Sequence, residues 1–233
     1  MLFFYVFDYD KGIDDDRLGR VSIGLTTIVK EGTRDYTLQL ENVRSGQIRL
    51  HLDWFWLSHD ASELERILNI NECAINKQTA AVLMVFLHSA KSLPMVTGEP
   101  SSKYSPKNLM CNQKVPRQPS PKVVLSVGQQ VKESSVKDET TEPRWEQGFR
   151  FTVINPNHQY LNLDVIDTNT KKCIGESSIK LKELLSSPEL IMDQKFVIKS
   201  SDPGSHFVLW LCLRILTPEF NPDWHNEEKF TVL

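Results

Sequence analysis

The chain has 233 residues, 40% of them apolar, with 27 Lys and Arg against 30 Asp and Glu for a formal net charge of −3. This composition fits one large globular domain or two small ones and excludes a low-complexity, collagen-like or disulfide-dense chain. The longest apolar runs, residues 1–7, 80–87 and 207–213, are far below the ~18–20 residues of a membrane-spanning helix.

The chain opens on an apolar strand, residues 4–7, with no basic residue ahead of it and Asp8 and Asp10 directly behind. That pattern argues against a secretory signal, so the expected compartment is cytosolic. Residues 8–16 hold five Asp against Lys11. Period-two alternation then predicts strands over residues 20–25 and 48–52, with Trp54 and Trp56 continuing the second. At least one of these tryptophans is expected to pack against a sheet or a neighbouring domain. Residues 61–69 carry the one helical pattern, Leu64, Ile67 and Leu68 on one face, and Asp60 with Glu63 reads as a capping box. Polar neighbours make this helix a connector. Further strands follow over residues 82–87, 123–127, 149–153, 161–165, 179–181 and 207–213. Between the first two lies a basic, proline-rich stretch, residues 103–122, with Lys103, Lys107, Lys114, Arg117 and Lys122 and no acid. Cys73, Cys111, Cys173 and Cys212 show no C-x-x-C pair or zinc-ligand spacing and read as free thiols.

A repeat organises these elements. Leu18-Gly19 followed by Ile23 recurs 156 residues later as Ile174-Gly175 followed by Ile179. The strand into Asp8 corresponds to the strand into Asp167, and Ile48, Leu50 and Leu52 correspond to Phe207, Leu209 and Leu211. The last three strands of one antiparallel sandwich unit thus occur twice, and the first copy lacks everything before them. Three strands cannot bury their own apolar face. Residues 1–57 therefore read as part of a domain, from a longer parent or a truncated isoform.

Asp8, Asp10 and Asp16 have the spacing Asp-x-Asp-x5-Asp between two strands. Converging carboxylates suit calcium, which takes six to eight oxygens; a solvated acidic hairpin is the alternative. An EF-hand is excluded, because Gly12, Ile13 and Gly19 stand where that loop needs Asp or Asn, Gly and Glu. No nucleophile and base can be assembled around His51, His59, His88, His158, His206 or His225, so no enzyme is expected.

Phe7-Asp8-Tyr9-Asp10 with Asp16-Arg17-Leu18-Gly19 resembles the third calcium loop of a C2 domain. Ala90-Lys91-Ser92-Leu93-Pro94 and Glu142-Pro143-Arg144-Trp145, continuing through Phe149 and Phe151, resemble a complete second C2 domain. The junction Leu38-Gln39-Leu40-Glu41-Asn42-Val43, Ser45-Gly46-Gln47-Ile48 and Trp54 resembles the tandem of first and second C2 domains in extended synaptotagmins. The resemblance implies an all-β, C2-type antiparallel β-sandwich, one complete copy preceded by a partial copy. The expected boundaries are residues 1–57 for the end of the first C2 domain, 58–78 for a linker with a short helix, 79–217 for the second C2 domain and 218–233 for a tail.

It further implies a parent that tethers the endoplasmic reticulum to the plasma membrane, at whose contact sites it resides, and that supports calcium-regulated glycerophospholipid transport. Asp8, Asp10 and Asp16, with Asp15 a substitute for Asp16, match third-loop Ca2+ ligands. Arg17 replaces the usual Phe, and the first-loop carboxylates have no counterpart, so the site is incomplete and calcium should bind weakly or not at all. The second copy keeps only Asp167, in a loop three residues shorter, and reads as calcium-independent. For Lys103, Lys107, Lys114, Arg117 and Lys122 two readings stand open: attachment to an anionic phospholipid membrane (phosphatidylserine, phosphoinositides), or a solvated loop. Nucleic acid is not expected, because only Tyr104 is interleaved for stacking. Homo- or hetero-oligomerisation of the parent stays open. The alternative function is a C2-type protein-interaction scaffold without lipid binding.

Overall fold

The computed structural model describes residues 1–8, 16–32, 34–73, 79–98 and 115–219. The chain divides into two compact units, Met1–Trp56 with Thr217–Leu233, and Leu57–Leu216. In the first, strands β1 (Leu2–Phe7) and β2 (Arg17–Ile23) pair antiparallel, helix α1 (Leu25–Glu31) follows, and β3 (Arg34–Gln39) pairs antiparallel with β4 (Gln47–Leu52). The strand expected over residues 20–25 stops at Ile23. Gly24 is extended and begins one helical stretch that buries Ile28, and Gly32, at φ +66, ends it by donating its amide to the Ile28 carbonyl. A side chain at that φ would be strained.

The second unit begins with β5 (Trp56–Ser58) and helix α2 (Glu63–Cys73), then β6 (Ala81–Lys91), β7 (Val96–Gly98), β8 (Val115–Arg117), β9 (Pro121–Val127), β10 (Gln130–Glu133), β11 (Arg144–Val153), β12 (Tyr160–Asp167), β13 (Lys172–Lys180), helix α3 (Leu181–Leu185), a 3-10 turn at Pro188–Leu190, β14 (Ile191–Val197) and β15 (His206–Thr217). One sheet runs β10-β9-β12-β13 and the other β11-β6-β15-β14, with β5 beside β15. Alternate residues of β6, β9, β11, β12 and β15 meet in one core, in which Leu83, Leu125, Phe151, Leu163, Phe207 and Leu209 are fully buried. This is the expected all-β antiparallel sandwich.

The helix read as a connector is packed. Leu64 and Ile67 of α2 are buried in the same core as β6 and β15. Its expected capping box does not form. Asp60 Oδ1 accepts the Ser62 amide at 2.8 Å, while Glu63 pairs forward with Arg66 instead of reaching back. Residue 181, expected in a strand, starts α3, and β3 and β14 pass unseen by alternation because their exposed Arg, Asp, Gln and Lys dilute it.

The repeat is visible in three dimensions. Both units place strand, strand, helix, strand, strand in order. Both hairpins break register at the equivalent point, between Val6 and Phe7 and between Val165 and Ile166. Both carry one isolated bridge beyond it, Arg20 to Glu41 and Glu176 to Lys199. Gly19 and Gly175 sit beneath that crossing segment, where an added Cβ would press on Leu40 and Val43 in the first unit and strike Ile198 in the second. Among the described residues the first unit has no counterpart of β6, β9, β10 and β11. Leu161, Leu163, Leu209 and Leu211 are accordingly fully buried, whereas Leu2 is 37% exposed and Phe4, Leu50 and Leu52 are half-buried. Trp54 and Trp56, each half-buried, pack edge to face on one another, ring centroids 5.8 Å apart.

Candidate functional site

The acidic hairpin of the first unit is closed by its own end residues. The Asp8 amide donates to the Asp16 carbonyl at 3.0 Å, and the Asp16 amide donates to Asp8 Oδ1 at 2.8 Å. This brings both aspartates to one end of β1 and β2, and a carboxylate that accepts one amide keeps further lone pairs for a cation. Asp10 and Asp15 lie outside the described residues. Arg17, at the base of the loop, rests over the Tyr5 ring at 4.5 Å, a cation on an aromatic face.

The equivalent hairpin of the second unit has the opposite arrangement. Asp167 is fully buried. Its Oδ1 accepts the Ser120 amide at 2.8 Å, and its Oδ2 accepts the Thr170 amide at 2.9 Å and the Thr170 hydroxyl at 2.6 Å. The Arg117 guanidinium stands 3.5 Å from Oδ2. Burial pushes the Asp167 carboxyl up, but the bonds from Thr170 and Ser120 and the charge of Arg117 together outweigh it and hold the group below its usual range. Ser120 extends the clasp: its carbonyl accepts the Thr168 amide and hydroxyl and its hydroxyl accepts Asn169 Nδ2. The loop after β8 is thereby tied to the loop after β12 by protein donors, with the Arg117 guanidinium beside the carboxylate.

Of the five basic residues singled out from sequence, Arg117 faces Asp167 and Lys122 Nζ bonds Glu133 Oε2 at 2.6 Å. Both are partly covered and ion-paired. Lys103, Lys107 and Lys114 lie outside the described residues, as does Cys111; Cys173 is exposed, Cys212 buried, and both are free thiols. Arg117 is legible in the sequence as a charge, but its partner, fifty positions away, is not. The short loop with one surviving Asp was the available signal, since a lone buried carboxylate needs a counter-charge. Elsewhere, ligand atoms of Asp164, Cys173 and Glu176 lie within 4.8 Å of one another. Asp164 and Glu176 are directly opposed across β12 and β13, and burial, then Glu176, raises the Asp164 carboxyl.

With this geometry in hand the comparisons are specific. The family model described as C2 domain matches residues 1–40 and 81–195, and the chain belongs to the C2 domain family. Within it, the homologues are extended synaptotagmins. "Extended synaptotagmin-2-A" of Xenopus laevis is 33% identical over 228 residues, covering 92% of this chain and 26% of the relative. "Extended synaptotagmin-1" of Homo sapiens is 33% identical over 212 residues, covering 89% and 18%. Among solved structures, one of Extended-Synaptotagmin 2 that holds its SMP domain and two C2 domains superposes with a TM-score of 0.72 at 31% identity, over 92% of this chain and 42% of that one. A calcium-bound structure of the two C2 domains of Extended-Synaptotagmin 2 gives 0.70 at 30% identity, over 93% and 71%. The chain thus spans about a quarter or less of the length of these curated relatives. No helix among the described residues is long and apolar enough to cross a membrane.

Proposed function

We propose that this chain is the membrane-binding C2 tandem of an extended synaptotagmin-like protein, one that tethers the endoplasmic reticulum to the plasma membrane and supports calcium-regulated glycerophospholipid transport. The observation that carries the reading is the contrast between Asp8 and Asp167. Residues 1–57 end a first C2 domain whose Asp8, Asp10, Asp15 and Asp16 supply part of a calcium site. That site needs further carboxylates that these residues do not contain. Residues 79–217, joined by 58–78 and followed by the tail 218–233, form a second domain that holds no calcium, because the donors around Asp167 already occupy its carboxylate. This domain meets an anionic leaflet through the basic stretch. Lys103, Lys107 and Lys114 act there as charges, while Arg117 and Lys122, each paired with a carboxylate, fix where the stretch leaves the sandwich.

Co-sedimentation with phosphatidylserine vesicles in low salt tests this. Each cation near an anionic leaflet is worth roughly 1 kcal/mol, so replacing Lys103, Lys107 and Lys114 together by Ala weakens binding by about a hundredfold. Unchanged binding would refute the assignment.

A further inference from the structure

A groove that the membrane reading does not use runs from the outer face of the sheet β11-β6-β15-β14 over its edge strand β11 to Gln130 and Lys132 of β10 in the other sheet. Phe86 of β6 is paired on one side with Gly148 of β11 and on the other with Trp210 of β15, and Met84 is paired with Arg150. Because Gly148 has no side chain, the row Gly148, Phe86, Trp210 is notched at one end, and a groove of about 760 Å3 opens over it. Phe86 remains 37% exposed. Aromatic surface left open beside a notch is the kind of feature that marks a recognition site. Two cations line the groove with no carboxylate partner among the described residues: Arg150, exposed on β11, and Lys132 of β10, whose ammonium is 5.7 Å from the Phe151 ring centroid. Beyond Trp210, at the opposite end of the row, stands the exposed Asp193.

We infer that this groove docks an acidic protein segment bearing an aromatic or aliphatic anchor: the anchor fills the notch over Gly148 against Phe86 and Met84, and its acidic neighbours lie on Lys132 and Arg150. The chemistry favours a peptide over a phosphorylated sugar headgroup. Hydroxyls of such a headgroup would lose water against Met84, Phe86 and Trp210 without gaining hydrogen bonds, whereas an amphipathic segment matches an apolar floor with cations beside it. Asp193 sets the polarity, repelling the acidic end from the Trp210 side.

Gly148 provides the decisive variant. A Cβ there would meet nothing within 4 Å, and its backbone is not in the left-handed region, so Gly148→Phe fills the notch while the sheet stays intact. The full chain is used to select from a random 12-residue peptide display library, with counter-selection on Gly148→Phe, equal melting of the two proteins being checked first. The expected winners carry two or more Asp or Glu and at least one aromatic or large aliphatic residue. Their Kd, measured by fluorescence anisotropy, rises about tenfold or more in Lys132→Glu/Arg150→Glu. Selection that returns no sequence discriminating against Gly148→Phe, or returns basic or uncharged winners, overturns the inference. So does a Gly148→Phe protein that keeps its peptides but loses phosphatidylserine vesicles, which would make the groove a lipid site. The membrane reading can fail or stand independently, because it rests on Lys103, Lys107 and Lys114.

Discussion

At the scale of single residues the sharpest feature is the Asp167 clasp. Asp167 is a buried carboxylate that accepts three hydrogen bonds, and unmaking bonds of that kind costs about 1–3 kcal/mol, or more where a charge is involved. Asp167→Asn keeps the shape and part of the bonding and should cost about 3 kcal/mol in urea unfolding at pH 7. The folded carboxyl lies below its ordinary range. Its stabilisation is therefore complete above the unfolded value of about 3.9 and is lost as pH falls through the folded value. The gap between wild type and Asp167→Asn should narrow steadily below about pH 4; a constant gap would show that the charge contributes nothing. Gly175→Ala tests the crossing segment. Its methyl would strike Ile198, and a cost of about 1–3 kcal/mol is expected in the same unfolding experiment. The aspartates Asp8 and Asp167 were legible from the repeat alone. The pairing of Arg117 was not, because a run of cations does not show which one turns inward toward a carboxylate fifty positions away.

Among the elements, the long strands of the second unit are legible, since β9 and β12 alternate buried with partly or fully exposed residues over their whole length and β15 does so over its first six positions. The short helices did not. Seven residues in α1 and five in α3 give too few turns for a period of 3.6 to stand apart from a strand of period two. Helix α2 is legible in the sequence, yet its short apolar face reads as a connector, because the strands that receive it do not show in the local pattern. Leu64→Ala, which removes a side chain buried against that core, should lower the stability of the second unit by about 2–5 kcal/mol. A change within a few tenths of a kcal/mol would return the helix to the role of a tether.

For the whole molecule, one sequence motif is built twice at two levels of completeness. The first unit repeats the order and the register break of the second, but its inward residues Phe4, Leu50 and Leu52 remain half-buried where Leu163, Leu209 and Leu211 are sealed. Local stability follows burial. Amide hydrogen exchange should show slow exchange in β12 and β15 and much faster exchange in β1 and β4. Equal protection in the two pairs would contradict that view. The two hairpins differ along the same line: Asp8 accepts one amide through its side chain, whereas the buried Asp167 accepts three donors. The measurement that bears most directly on this account is sedimentation of the 233-residue chain with phosphatidylserine vesicles across a salt series, in chelator and in calcium. Binding in chelator that declines with salt and is unmoved by calcium is expected. Binding that appears only with calcium would contradict it.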